Sequence, residues 1–157
     1  MTGGYDFYDM DPFFRDMGAL QTKFFTLEYE LRTFLFRNED LPFMRDFDSI
    51  AEGDELDANP FTNRDSLGPL IDKYNAVVKH RDPELVVDRR VVDIRDAIAH
   101  GRVYRRSVEG QLRLLKFSKV GKDGKVRAEF VETLDRAALG KWNMFLFMTV
   151  KRVRDAA

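Results

Sequence analysis

Read for the alternation of apolar and polar positions, the chain starts its first regular pattern at Asp11-Pro12, a capping acid followed by a proline suited to the first helical position. The run after it, FFRDMGALQTKFFTLEYELRTFLF, sets Leu20, Phe24, Leu27, Leu31, Phe34 and Leu35 three and four residues apart. That spacing predicts one buried face of an α-helix. Phe25 and Phe36 fall off this stripe and point to a second buried surface. Residues 37–65 are polar and rich in turn formers. A connection this long without structure is uncommon in a compact domain, so a short helix near Leu41–Ile50 and a mobile remainder are predicted. Ser66 or Asp65 then caps a helix over about 67–79, with Leu70, Ile71, Tyr74, Val77 and Val78 inward.

Asp82-Pro83 repeats the cap signal. A third helix is expected from Pro83 to His100, its stripe Val87, Val91, Ile94 and Ile98, with Gly101 closing it as a left-handed cap. The period then changes. QLRLLKFSK and KVRAEFVE flank the turn VGKDG and predict a β-hairpin. The last pattern, about 134–155, carries Leu139, Trp142, Phe145, Leu146, Thr149 and Val153, widened by Phe147 and Met148. A face this wide suits a bundle that also dimerises. The expected fold is therefore mainly α: a bundle of four or five helices with a β-hairpin between the last two. At 157 residues it is expected to be one domain with a sizeable core.

Composition narrows the chemistry. The absence of cysteine excludes disulfides and thiol catalysis and fits a cytoplasmic protein. Two histidines far apart make a catalytic zinc site an unpromising reading, so no metal and no cofactor is expected. The start, MTGGYDFYDMD, has neither the basic nor the apolar stretch of a signal peptide, and Met144–Val150 is too short to span a bilayer. The net charge of −1 hides a split: residues 1–60 carry 14 acids and 5 bases, whereas residues 89–127 carry 4 acids and 12 bases. Such a split fits a polyanion partner for the basic part, or a dipolar surface that neutralises itself within or between subunits.

The sharpest local signal is IRDAIAHGRVYRR, residues 94–106. Asp96 and His100 are four apart, on one helical face. Arg95 points about 100° round the axis from Asp96, with a side chain long enough to reach beside the imidazole. His100 can move a proton near neutral pH, Arg95 can fork onto a phosphate, and Asp96 can orient the imidazole. The same residues can equally be a helix-capping histidine, an interhelical ion pair and a solvated partner. An arginine and a histidine in one basic pocket suit RNA scission. The 2′-hydroxyl is the nucleophile, a base removes its proton, and a cation holds the pentavalent phosphate.

Arginine followed by a polar residue, with histidine five positions after the arginine near the end of a late helix, resembles the HEPN superfamily (higher eukaryotes and prokaryotes nucleotide-binding domain). Its signature of Arg, four to six residues, His is met by Arg95, Asp96, Ala97-Ile98-Ala99 and His100, and the IAHG ending is similar to many bacterial members. The resemblance implies a homodimeric helical bundle whose two motifs face each other. It also implies a metal-independent endoribonuclease of the kind found in toxin–antitoxin and phage-defence systems, where an antitoxin or another protein is the partner. By motif position it assigns Arg95 and His100 as catalytic and Asp96 as supporting. In one toxin branch a tyrosine two positions after the histidine is adenylylated. Here that position is Arg102, so that form of regulation is not expected. Arg102, Tyr104, Arg105 and Arg106 are the candidate RNA-binding residues, holding flanking phosphates and stacking a base. Arg113, Lys116, Lys119, Lys122, Lys125 and Arg127 on the hairpin either extend that track or form a solvated face. Two other functions stay open. One is a non-catalytic dimeric interaction or nucleotide-binding module; the other is a protein whose acidic N-terminal part docks a basic partner.

Overall fold

The structure, a computed structural model, describes residues 11–41, 46–105 and 112–157, with Arg105 described by its backbone. Among these residues the fold is mainly helical. Four α-helices, α1 (Asp11–Asn38), α2 (Leu67–Val78), α3 (Arg90–His100) and α4 (Arg136–Asp155), enclose in sequence a sheet of β1 (Arg102–Arg105), β2 (Leu112–Phe117) and β3 (Ala128–Leu134). The sheet lies between α3 and α4 in chain order and is antiparallel throughout, ordered β1-β2-β3. The predicted hairpin is therefore present, extended by one strand. No helix among the described residues is long and apolar enough to cross a membrane.

Two compact units are distinguishable. The first comprises α1 up to Phe25 together with Asp88–Met148; the second comprises Thr26–Val87 with Thr149–Ala157. In the first, Leu20 and Phe24 of α1, Val91, Ile94 and Ala97 of α3, and Leu139, Trp142 and Leu146 of α4 are buried, as are Leu112, Leu114 and Leu134 of the sheet. Each such leucine contributes roughly 1.5–3 kcal/mol by leaving water. Phe130 meets Trp142 edge-on at 6.0 Å, and Lys23 Nζ donates to Asn143 Oδ1 at 2.8 Å. Asp135 Oδ1 accepts from the Ala138 amide at 2.7 Å and caps α4.

In the second unit the stripe residues Leu27, Leu31, Phe34 and Leu35 are buried with Leu70, Ile71, Tyr74 and Val78 of α2. The stretch expected to be mobile is tied down between residues 57 and 65. Arg32, on the polar side of α1, donates to the carbonyls of Pro60 and Asp65 and to Asn63 Oδ1. Phe61 packs against the rings of Tyr29, Phe36 and Phe47. The helix expected near Leu41–Ile50 is one 3₁₀ turn, Phe47–Ser49, capped by Asp46; residues 42–45 lie outside the described residues.

The third helix starts at Arg90 rather than Pro83. Asp82 does cap, but what it caps is a single 3₁₀ turn, Pro83–Leu85. Beyond it the chain is extended, because its carbonyls are taken by side chains. Tyr74 Oη donates to Leu85 O at 3.1 Å, Arg152 Nη1 to Val86 O at 3.1 Å, and Asn75 Nδ2 to Val87 O at 2.9 Å. Asn75 Oδ1 also accepts from the Val87 amide at 2.8 Å. These are the acceptors that a helix through this stretch would need. Asp88 Oδ1 then accepts from the Arg90 amide at 2.8 Å, where α3 begins.

Candidate active site

His100 is the last residue of α3, and Gly101 joins it directly to β1. Gly101 is not the left-handed cap expected; its φ of −76° and ψ of 174° are extended. Glycine is needed here for space. A Cβ would strike the Ala97 carbonyl oxygen and come within 2.7 Å of Leu114 Cδ1. The chain therefore leaves the helix against β2 and pairs with it immediately, Arg102 opposite Leu115 and Tyr104 opposite Arg113. A helix that ends in a paired strand fixes the direction of its last side chain.

Strand alternation sorts the sheet into two faces. Leu112, Leu114 and Leu134 face the core. Arg102 and Tyr104 lie on the opposite face with Arg113, Leu115 and Phe117, and Arg102, Tyr104, Arg113 and Phe117 are exposed. Arg102, Tyr104, Phe117 and Lys119, with Ser118, Val120 and Val126, line an open recess of about 450 Å³ around His100. The imidazole is exposed, and among the described residues it has no hydrogen-bond or ion-pair partner.

Arg95 and Asp96 are engaged elsewhere. Arg95 Nη1 meets Asp96 Oδ1 at 2.7 Å, the two side chains being 36% and 30% exposed. Lys116 Nζ lies 3.9 Å from Asp96 Oδ2 and 3.6 Å from Glu129 Oε2. The result is an alternating chain of charges from α3 across β2 to β3. The Asp96 carboxylate thus faces two cations, and it makes no bond to the imidazole four residues on. Arg95 is not among the residues lining the His100 recess.

Of the candidate RNA-binding residues, Arg102 and Tyr104 stand beside His100 in the recess. Arg105 continues β1 by its backbone, and Arg106 lies outside the described residues. Of the hairpin cations, Lys119 joins the recess and Lys116 turns to the ion chain. Phe117 was not singled out from the sequence. Its alternation with Leu115 and Arg113 in LRLLKF was the available signal, but an exposed phenylalanine cannot be told from a buried one by period alone.

A larger recess of about 590 Å³ lies between the N-terminal ends of α3 and α4, lined by Asp88, Glu132, Asp135 and Lys141 among others, and holds none of the expected residues. Among the described residues no three His, Asp or Glu side chains come together as metal ligands would. On α4, Met144, Phe147 and Met148 are exposed in the single chain, as is Phe25 on α1. Comparison with protein-family models, with curated proteins and with solved structures finds no match.

Proposed function

We propose that the protein is a metal-independent endoribonuclease centred on His100 and Arg95, acting as a cytoplasmic toxin or phage-defence effector. The observation that carries this reading is the His100 imidazole, without a partner among the described residues and open to solvent, in a recess that also holds Arg102 and Lys119. The chemistry requires little else. His100 accepts the proton of an RNA 2′-hydroxyl, and the 2′-oxygen forms a bond to the adjacent phosphorus. The bond from phosphorus to the 5′-oxygen breaks, that oxygen takes up a proton from water, and the imidazolium returns its proton to solvent. The products are a 2′,3′-cyclic phosphate and a 5′-hydroxyl, and cations beside the phosphorus stabilise the pentavalent state. Arg95 stands about 140° round the helix from His100, so in this reading it serves the His100 of a second copy, in a homodimer. An antitoxin or other protein partner would restrain the activity.

The Arg95–Asp96–Lys116 ion chain favours a second reading, a non-catalytic dimeric interaction or nucleotide-binding module in which these residues hold structure together. Incubation of wild type, His100→Ala and Arg95→Ala with structured and single-stranded RNA in excess EDTA separates the two. The ribonuclease reading expects fragments ending in 2′,3′-cyclic phosphate from wild type, lost in both variants. His100→Ala should fold normally, since an exposed side chain without partners changes stability by no more than about 0.5 kcal/mol. Intact RNA with folded wild type would overturn the ribonuclease reading.

A further inference from the structure

We propose that the outward face of the β-sheet is a stacking platform for the bases of single-stranded RNA, leading the strand to His100. Its link to His100 rests on the ribonuclease reading, whereas the binding does not.

The platform is built in three rows across the strands, roughly 7 Å apart along them. Tyr104 and Arg113 are cross-strand partners in the first row. Arg102, Leu115 and Val131 form the second. Phe117 occupies the third, level with His100 at the end of α3. Two aromatic rings are thus displayed on an open sheet face, Tyr104 44% and Phe117 38% exposed, with arginines in the first two rows.

The occupant follows from charge. Apart from these residues and Thr133, which pairs with Arg113, the described part of this face has no further side chain before the β3 bulge, and none of the set is a carboxylate. Of the described acids, Asp96 and Glu129 are on Lys116 instead. A surface of aromatic rings and cations, with no carboxylate among its described residues, fits a flexible polyanion with flat apolar bases. Single strands fit and duplexes do not, because paired bases cannot leave their stack to lie on a tyrosine or phenylalanine. A base on Phe117 sets its own sugar and phosphate at the recess with His100 and Lys119. The cut would then fall beside a stacked, unpaired nucleotide.

The test is fluorescence anisotropy with a 2′-O-methyl oligonucleotide, which cannot be cleaved by 2′-hydroxyl attack, offered as a single strand and as a duplex. Tyr104→Ala and Phe117→Ala should each weaken single-strand binding roughly 5- to 150-fold, the range of one lost base–aromatic stack. Tyr104→Phe keeps a ring and should keep the affinity. Arg113→Ala should lower the salt slope by about one ion. Unchanged single-strand affinity in the folded Tyr104→Ala/Phe117→Ala double variant, or a duplex bound as tightly as the single strand, would overturn the platform. So would RNA cleavage that is indifferent to both alanines, and that result would leave the ribonuclease standing. Ring-dependent binding by a wild type that cleaves nothing would support the platform and remove the ribonuclease.

Discussion

Arg32 should be the most costly polar side chain to lose in the second unit. Its guanidinium is largely shielded, the side chain being 12% exposed. It donates to the carbonyls of Pro60 and Asp65, the latter at 2.7 Å, and to Asn63 Oδ1 at 3.0 Å. Arg32→Met keeps an unbranched stem and removes all three donors. A hydrogen bond from a charged donor contributes about 1.5–3 kcal/mol where its acceptor cannot reach water. Pro60 is buried, whereas Asn63 and Asp65 keep partial access to solvent. Counting one bond in full and two in part gives a loss of about 3 kcal/mol. The ion pair with Glu28, whose side chain is 38% exposed, adds only a few tenths of a kcal/mol. Urea unfolding of wild type and variant measures the total. Hydrogen exchange at the Phe61 and Thr62 amides, both bonded to Asn59 Oδ1, measures the loop itself. Arg32→Lys retains the charge but cannot fork to three acceptors, so it should recover less than half of the loss. A change below about 0.5 kcal/mol in Arg32→Met, with the loop amides still protected, would refute this account of what holds residues 57–65.

Gly101→Ala should destabilise by about 2 kcal/mol or more and lower Tm by roughly 4–8 °C, because its methyl group meets the Ala97 carbonyl oxygen, which cannot swing away, as well as Leu114 Cδ1. A thermal melt unchanged from wild type would show that the helix–strand junction can relax. Burial pushes the Tyr74 hydroxyl up to about 12, with Arg152 partly opposing it. Its folded pKa lies above the unfolded one, so the neutral ring's contribution is complete below pH 10 and is lost as pH rises from about 10 to 12. Tyr74→Phe should cost about 1 kcal/mol at pH 7 through the lost bond to Leu85 O, and flatten the alkaline decline. Urea titrations at pH 7 and pH 11 read both effects, and an equal decline in the two proteins would contradict the assignment.

How far these features were legible depends on whether their cause is local. The α1 stripe could be read because Leu20, Phe24, Leu27, Leu31, Phe34 and Leu35 report one periodic face, and all six are buried. The start of α3 could not. Asp82-Pro83 is a true cap signal, but the extended backbone after it depends on Tyr74, Asn75 and Arg152, the last 66 residues away from its acceptor. β1 was missed for the opposite reason. Four residues with two arginines carry too little pattern to announce a strand, and pairing with β2 supplies what composition does not. At the candidate site, His100 and Arg102 were readable as neighbours in sequence. Phe117 and Lys119 reach them only through the sheet.

The same distinction bears on Arg95. Its pair with Asp96 looks at first like an argument that the arginine is structural. The magnitudes say otherwise. With both side chains about a third exposed, such a pair contributes no more than about 1 kcal/mol. A guanidinium bond to phosphate at the same exposure belongs to the same class of charge-assisted bond and is screened alike. The pair with Asp96 is therefore weak enough to be exchanged for a phosphate, and Lys116 remains to occupy Asp96. In the ribonuclease reading proposed above, Asp96 would hold Arg95 in place until RNA arrives. The geometry sets a stricter condition than the energetics. On one helix Arg95 and His100 diverge by about 140°, and the recess around His100 is furnished by Arg102 and Lys119 instead. A single copy would thus use Arg102 or Lys119 at the phosphate. Arg95 enters the chemistry only if a second copy brings it, which makes it the residue on which the one-copy and two-copy forms of the ribonuclease reading part company.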